Sequence, residues 1–198
     1  MSEAGRMLAL LAEKGLLLKQ DPEALSVVTL LTGERLSTSW WAHPKAHEIF
    51  AVLTDLASHA DVTVAKLHKG KDTFVHRRLW PALRSVARCR EPWQTRGLSK
   101  EALELLETVE SAGPREASGP AARELESRLL VRAEEVHTAL GRHLRVLEPW
   151  TAWARRVGCG KAVPIEEAKA ALEAAALGIG ASKPGLPWAP RARSGRRT

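Results

Sequence analysis

The stretch from residue 62 to residue 76 constrains the fold of this chain more than any other. Residues 62–67 and 72–76 are short runs rich in β-branched and aromatic side chains, which is the composition typical of strands. Residues 68–71, which include Gly70, separate the two runs by the length of a tight turn. The sequence therefore predicts a β-hairpin in a chain whose other segments are patterned differently.

Helical spacing dominates the remainder of the chain. Apolar residues recur three and four positions apart, and capping residues mark the ends of these segments. Gly15 ends the first predicted helix, and Asp21, Pro22 and an acidic residue begin a second one that stops at Gly33. Further helices are predicted after Pro44, from residue 79, and at 99–112, 121–130, 151–156 and 164–177, and residues 90–97 are predicted to form a loop.

A second hairpin is predicted in the C-terminal half. Residues 130–138 and 142–147 form two extended runs, and the tip between them contains Gly141. A helix over residues 134–147 is the competing interpretation, and the sequence leaves both open.

These elements give a mostly α fold with small β-hairpins, in which winged-helix-like units follow an N-terminal helical pair. We divide the chain into a helical pair at 1–36 and a basic helix–hairpin–helix unit, winged-helix-like, at 37–97. A second winged-helix-like unit with C-terminal helices follows at 98–178. Residues 179–198, rich in Gly, Pro and Arg, are predicted to form a disordered basic tail.

Composition and cysteine count favour a cytoplasmic protein without a membrane partner. No apolar stretch approaches the roughly 20 residues that span a bilayer. The N-terminal residues include acids and lack the features of a signal peptide. Cys89 and Cys159 are the two cysteines, and free thiols suit a reducing compartment.

Positive charge is concentrated in the middle of the chain and at its end. Residues 62–100 contain ten Lys and Arg against two acidic residues, whereas residues 101–135 contain nine acids against four basic residues. Concentrated positive charge attracts polyanions, and a basic hairpin tip beside a basic helix could contact a phosphate backbone. The alternative is that these cations pair with the acidic segments on either side. The residues of this region predicted to bind nucleic acid are Lys66, Lys69, Lys71, Arg77, Arg78, Arg84 and Arg88.

The order of elements in residues 98–150 is a helix, a short element at 116–119, a second helix at 121–130 and a two-stranded hairpin. In this order the segment, about a quarter of the chain, resembles the winged-helix superfamily of DNA-binding domains. The resemblance implies that the helix before the hairpin enters the major groove and that the hairpin touches the DNA backbone. It adds Arg123, Arg128 and Arg142 to the predicted nucleic-acid-binding residues. Four glutamates lie among these arginines: Glu124, Glu126, Glu134 and Glu135. Their negative charge keeps packing on a protein partner open as the alternative.

Three other features have both a functional and a structural interpretation. His43 and His47 share one face of a predicted helix and could bind zinc, but a structural zinc site needs four ligands, so we predict no metal. Cys89 lies between two arginines, which would lower its thiol pKa, but no partner histidine is evident and we predict no catalytic role. The Trp40–Trp41 pair could stack on bases, but we interpret it as an anchor of the core.

The sequence predicts no catalytic residue and no cofactor. It contains no phosphate-binding loop, dinucleotide-binding glycine motif, nucleophile elbow or zinc-protease motif. The leading function is non-enzymatic binding of nucleic acid, with duplex DNA favoured over RNA, by a regulator or a DNA-repair or chromosome accessory protein. One alternative is a winged-helix scaffold for protein–protein interaction. Another is a DNA-processing enzyme of the tandem winged-helix glycosylase type, for which no catalytic residue can be nominated.

Overall fold

Two antiparallel three-stranded sheets and the helices packed on them make up the fold. The computed structural model describes residues 2–137, 143–182 and 185–189. The helices are α1 Glu3–Lys14, α2 Val27–Thr32, α3 Ala46–Ser58, α4 Trp80–Ala87, α5 Pro92–Thr95, α6 Lys100–Ala112, α7 Pro120–Ser127, α8 Trp150–Arg156 and α9 Ile165–Gly178. The strands are β1 Leu16–Leu18, β2 Val62–His68, β3 Lys71–His76, β4 Arg115–Glu116, β5 Arg132–His137 and β6 His143–Glu148. The prediction of a mostly helical chain with small β-hairpins is confirmed.

The first sheet has the strand order β1–β3–β2 and contains the predicted hairpin. Lys69 and Gly70 at its turn have φ angles of 50° and 67°, the left-handed pair that a two-residue hairpin turn requires. β1 pairs with the other edge of β3, where Leu17 lies opposite Phe74. All three residues of β1 are buried, and a run this short and uniformly apolar has no periodicity that identifies a strand. The N-terminal segment predicted as a helical pair therefore consists of a helix, a strand that belongs to this sheet, and a short helix.

The helix predicted to begin at Asp21 and Pro22 begins instead at Val27. The Asp21 carboxylate accepts the backbone N–H groups two and three residues ahead of it, both at 2.8 Å, and so closes a turn. Ser26 caps the helix. Sequence alone could not choose between the two positions, because Asp and Ser are equally good N-caps.

The second sheet has the strand order β4–β6–β5. Its hairpin of β5 and β6 replaces the helix that had been the competing interpretation of residues 134–147. Glu116 of β4 pairs opposite Val146 of β6, so the predicted short element after α6 begins as a strand. The predicted hairpin tip at 139–141 lies outside the described residues.

The two sheets have the same topology. In each, a strand follows a helix, one or two helices come next, and a hairpin then places its second strand in the centre. Residues 3–76 form the first such unit and residues 100–148 form the second. The first unit has two helices, α2 and α3, where the second has only α7.

Buried side chains form a large core and a small one. The large core joins the first sheet to α1–α4 and also to α8 and α9, and Trp80 and Trp153 meet edge to face in it with ring centroids 5.1 Å apart. The small core lies between α6, α7 and the second sheet: Ala102, Leu106, Val109, Ala122, Leu125, Leu130, Val131 and Leu147. The C-terminal helices, which had been assigned to the second unit, thus pack on the first.

Residues 185–189 pack against the large core, although they fall in the segment predicted to be a disordered tail. Leu186 is only 3% exposed, and the indole N–H of Trp188 donates to Glu173 at 2.9 Å. The backbone N–H of Lys69 donates to the Gly185 oxygen at 2.7 Å, which ties the segment to the tip of the first hairpin. The prediction of disorder depended on the polar, glycine-rich composition of this segment. The burial of Leu186 provides the apolar contact that holds the segment in place.

Helix α5 lies inside the predicted loop at 90–97 and connects the two units. Pro92 begins it, as proline can at a first helical position. The buried amide of Gln94 donates to the Ala87 oxygen at 3.0 Å and to the Arg128 oxygen at 3.1 Å. One side chain thus satisfies carbonyl groups at the ends of both α4 and α7.

Candidate functional site

The basic tip of the first hairpin is tied to the turn that precedes α2. Lys69 contacts Glu23 at 3.0 Å, and Lys71 contacts Asp21 at 2.6 Å. Asp21 is 1% exposed. Burial alone would raise the pKa of Asp21, but two backbone N–H groups and the Lys71 ammonium hold it at about 2. The charge of these two predicted nucleic-acid-binding lysines is therefore balanced within the chain.

Other predicted cations of the first unit are also engaged. Lys66 contacts Asp72 at 2.6 Å, and Arg77 contacts Asp61 at 3.0 Å. Arg78 donates to a backbone oxygen at the end of α1 at 2.9 Å. Asp21, Glu23 and Asp61 lie in the acidic segment that precedes residues 62–100, and Asp72 lies within that basic region, so these pairs agree with the alternative that flanking acids balance the cations. None of these four pairs uses an acid from residues 101–135.

The predicted arginines of the second unit support its local fold. Arg128 donates to three backbone oxygens in and after α5 at 2.7–3.4 Å and pairs with Glu124 at 3.2 Å. Arg123 donates to the backbone oxygen of Gly119 at 3.3 Å. Arg142 lies outside the described residues.

Four cations lie around α4 and the loop that precedes α9. Arg84 lies on α4, and Arg88 directly follows the last residue of that helix. Arg84 donates to the Gly160 oxygen at 3.0 Å. Lys161 follows that glycine, and Arg155 lies in the last turn of α8. Among the described residues, none of these four cations has a carboxylate oxygen within 4.0 Å. We call Arg84, Arg88, Arg155 and Lys161 the α4 basic face.

A cavity of about 410 Å³ opens between the two units, and we call it the interunit cleft. α3 and β2 line one side of it, and β5 and the end of α7 line the other. Trp41 stacks on Trp40 with ring centroids 4.1 Å apart and lies 5.8 Å from Phe50. Trp40 is 4% exposed and anchors the core as predicted, whereas Trp41 is 63% exposed at the edge of the cleft. Trp41, but not Trp40, is therefore available to a partner.

A buried carboxylate lies in the wall of the interunit cleft. Glu126 is 4% exposed, and its Oε1 accepts no hydrogen bond from the described residues. The Arg145 guanidinium lies 3.2 Å away but without hydrogen-bond geometry. Burial raises the pKa of Glu126, although the charges of Arg145 and Lys66 oppose this shift. A buried acid with a raised pKa in a cleft is a candidate functional group, and Arg145 is the cation that offsets its charge.

A buried ion-pair network joins the units at one end of the cleft. The Arg132 Nε donates to the Thr63 hydroxyl on β2 at 3.1 Å, and its Nη1 donates to Glu148 at 3.2 Å. Arg156 donates to the same carboxylate at 2.7 Å. Arg132 and Glu148 are 8% and 6% exposed, whereas the Arg156 side chain is 54% exposed. The network therefore fixes β5 against β2 through its two buried members.

The structure gives the cysteine and histidine candidates no site of their own. Burial raises the pKa of the Cys89 thiol, so the predicted lowering by the adjacent arginines is wrong. Within the described residues, no three His, Cys, Asp or Glu side chains are grouped closely enough to hold a metal ion. His43 accepts a backbone N–H at 3.1 Å through its Nδ1 and so shapes the turn before α3.

Sequence reasoning missed the interunit cleft because it forms between segments far apart in the chain. One signal was present for Glu126. It lies four residues after Ala122 and adjacent to Leu125, so it lies on the buried side of α7, where a lone carboxylate is unusual.

Comparison with known proteins adds no relative: no family model, no curated protein and no solved structure matches this chain. No helix among the described residues is long and apolar enough to cross a membrane.

Proposed function

We propose that this protein is a non-enzymatic scaffold for protein–protein interaction, made of two winged-helix-like units. In this proposal a partner docks on Trp41, Phe50 and the interunit cleft. The order helix, strand, two helices, hairpin in residues 3–76, with the last strand central in the sheet, supports the winged-helix assignment. In that assignment α3 is the third helix, which reads DNA in the DNA-binding members of such folds.

The proposal depends mainly on the side chains that α3 exposes to solvent. Its exposed residues are His47, Glu48, Phe50, Ala51, Thr54, Asp55, Ala57 and Ser58. This set contains two acids and no lysine or arginine. Lysine and arginine contribute most of the affinity for the DNA backbone, and the two acids on this helix face would be repelled by it. The same face suits a protein partner with apolar side chains.

The exposed aromatic pair gives the docking face its centre. Trp41 is 63% exposed and Phe50 is 38% exposed. Large aromatic side chains are enriched at interfaces and among the residues that dominate binding energy. Their position beside a cavity allows a partner to bury them and to insert a side chain at the same time.

Photo-crosslinking followed by reconstitution tests the proposal. A photoreactive phenylalanine at position 50, in the cell that produces the protein, should capture a protein partner. The purified partner should then bind the wild-type chain and lose at least tenfold in affinity against a W41D/F50D variant, since truncation at such positions costs about 2 kcal/mol or more. L103D is the matched control, because Leu103 is also exposed (51%) but lies on α6, away from the cleft. Equal affinity of W41D/F50D and wild type would refute the proposed docking face.

Duplex-DNA binding stays a second candidate because of the α4 basic face. Arg88, Arg155 and Lys161 are exposed and lack carboxylate partners in the described part of the chain. Lys66, Lys69, Lys71 and Arg77, by contrast, are paired. If the chain binds DNA, we expect the α4 basic face, and not the hairpin tip, to make most of the contacts with the DNA backbone.

A salt titration with two triple variants separates these surfaces. R88A/R155A/K161A should lower the slope of log affinity against log salt by roughly 2 to 3 units, because each phosphate contact contributes about 0.9. K66A/K69A/K71A, which removes cations already paired in the chain, should change the slope by less than about 1 unit. The absence of salt-dependent binding in the wild type near 50 mM salt would remove this second candidate.

A further inference from the structure

We infer that the partner segment that docks in the interunit cleft is an extended, uncharged stretch of chain that adds as a strand to the free edge of β5. This inference rests on the proposed docking function and specifies the conformation and the chemistry of the partner.

The outer edge of β5 carries backbone groups that point away from its own sheet. The Ala117 N–H donates to the Arg145 oxygen at 3.0 Å, so Arg145 of the central strand β6 faces β4. Backbone direction alternates along a strand, so the two neighbours of Arg145 face β5, and one of them pairs with Glu134. The N–H and C=O groups of Ala133 and Glu135 therefore point away from β6. Within the described residues these groups have no hydrogen-bond partner.

The opposite wall of the cleft contains a second strand edge. The Arg77 N–H donates to the Asp61 oxygen at 2.8 Å at the start of β2. Alternate residues from Asp61 onward therefore face β3, and Val64 faces away from it. Val64 lines the cleft, as do Ala133 and Glu135. The cleft thus lies between two strand edges, whose unpaired N–H and C=O groups match the backbone of an extended peptide.

Of the two edges, β5 is the more accessible to a partner. Glu134 and Glu135 are exposed on it, whereas Val64 is only partly exposed and lies between the buried Thr63 and Ala65 on β2. We therefore assign the pairing to β5, with β2 as the facing wall.

The charges of the cleft favour an uncharged segment. Each charged side chain of the lining has a partner of opposite charge within 4.0 Å: Asp72 pairs with two lysines, Arg145 with Glu126 and Glu135, and Arg132 with Glu134. A charged segment would have to displace one of these pairs, whereas a neutral segment would leave all of them in place.

The shape of a strand specifies where the apolar residues of the segment lie. Successive side chains of a strand point to opposite faces, so every second side chain of the segment enters the cavity of about 410 Å³. Trp41 and Phe50 line that cavity and favour apolar side chains at these positions. In strand addition generally, backbone hydrogen bonds supply affinity and the alternate side chains supply specificity.

A short neutral peptide tests the inference on the full chain. N-acetyl-Thr-Val-Thr-Val-Thr-amide is titrated at millimolar concentration. The control is the same peptide N-methylated at its three central residues, which lacks the backbone donors of both edges there. Nuclear magnetic resonance follows the backbone N–H groups of Ala133 and Glu135 and the indole N–H of Trp41. We expect these signals to shift to saturation with the first peptide, and its affinity to exceed that of the methylated peptide at least tenfold, because backbone hydrogen bonds are lost. Peptides in which both valines are replaced by lysine, or both by glutamate, should bind several-fold more weakly.

A pair of proline variants locates the edge. A133P removes an N–H that points away from β6, a position at which an edge strand tolerates proline, and should weaken the first peptide about tenfold. E116P is the matched control. Because Ala117 faces β6, the Glu116 N–H points outward from β4, the other edge strand of the same sheet. E116P should leave the affinity unchanged.

Equal affinity for the plain and the methylated peptide, shifts outside the cleft, or an unchanged affinity in A133P would each overturn the inference. A wild-type chain that dimerises without peptide, with a dimer that A133P abolishes, would also overturn it, because the edge would then bind a second copy. The comparison of the two peptides uses only the wild type, so it decides the question even if A133P lowers stability. A partner whose affinity depends on Trp41 and Phe50 but not on Ala133 supports the docking proposal and refutes the added strand.

Discussion

The sheet of the first unit packs against a large core, to which α4, α8, α9 and residues 185–189 also contribute side chains. The second unit has the same strand order, but far fewer side chains form its core. The second unit is held to the first by Gln94, which reaches the end of α7, and by Arg132, which reaches Thr63. The interunit cleft opens beside these contacts. Equal topology therefore does not imply equal stability, and the smaller unit depends on the larger one.

The largest effect is expected from removing the C-terminal segment. A chain that ends at Gly178 loses the buried side chains of Ile179 and Leu186, and we expect it to lose roughly 4 kcal/mol or more of stability. L186A should cost about 2–3 kcal/mol, whereas L177A, at a leucine that is 59% exposed, should stay within about 0.5 kcal/mol. Denaturant unfolding measures all three, and a shortened chain with an unchanged midpoint would contradict the assignment of this segment to the large core.

A matched pair of leucine substitutions tests the dependence of the small core on the large one. Leu125 and Leu11 are both fully buried, one in each core. L125A should cost about 3 kcal/mol and remove hydrogen-exchange protection from α6 and α7 while α1 stays protected. L11A should lower protection in both units. If L125A exposes α1 as much as α6, the two cores unfold as one and the comparison fails.

The buried network at the end of the cleft should contribute less than either core. R132M removes one cation from Glu148 but leaves Arg156 in contact with it, so we expect a loss of roughly 3 kcal/mol, the low end for a broken buried pair. A double-mutant cycle with T63V measures the part of this energy that crosses between the units. A coupling near zero would show that the units are joined elsewhere.

The smallest effect is a pH dependence at the junction of the first hairpin and the C-terminal segment. Burial and, to a smaller extent, the charge of the adjacent Lys69 lower the pKa of His68 below the usual 6.5. His68 packs so closely on Gly185 that a Cβ atom at that position would lie only 2.1 Å from the imidazole ring. The folded state therefore binds a proton at His68 less readily than the unfolded state does. The contribution of His68 to the free energy of unfolding is constant above about pH 6.5, and it becomes destabilising as the pH falls below that value. The stability of the wild type should decrease relative to H68Q between pH 7.5 and pH 5. A difference that grows in the opposite direction would show that the protonated imidazole is stabilised in the fold.

Local signals predicted the elements that depend on local chemistry. The turn at Lys69 and Gly70 and the β-branched runs beside it gave the first hairpin, and Gly15 and Ser99 marked helix ends that the structure shows. β1 was missed because three buried leucines fit a strand or a helix equally well. Its identity depends on pairing with β3, more than fifty residues away.

Apart from the position of Glu126 on the buried side of α7, the candidate site could not be predicted, because it depends on distant contacts. The sequence shows that Lys71 is basic but not that Asp21, fifty residues earlier, neutralises it at 2.6 Å. In the same way, Trp40 and Trp41 are identical neighbours in the sequence, and only the folded structure shows that Trp40 is buried and Trp41 is exposed. Charge concentration along a chain is therefore a poor guide to the charge that a folded surface presents.

Crosslinking from two positions tests most directly whether this protein docks proteins at the interunit cleft. A photoreactive residue replaces Phe50 in one variant and Arg88 of the α4 basic face in another, both in the producing cell, and the adducts are analysed for protein and nucleic acid. We predict a protein adduct from position 50 that W41D abolishes. A nucleic-acid adduct from position 50, or a protein adduct that survives W41D, would contradict this account.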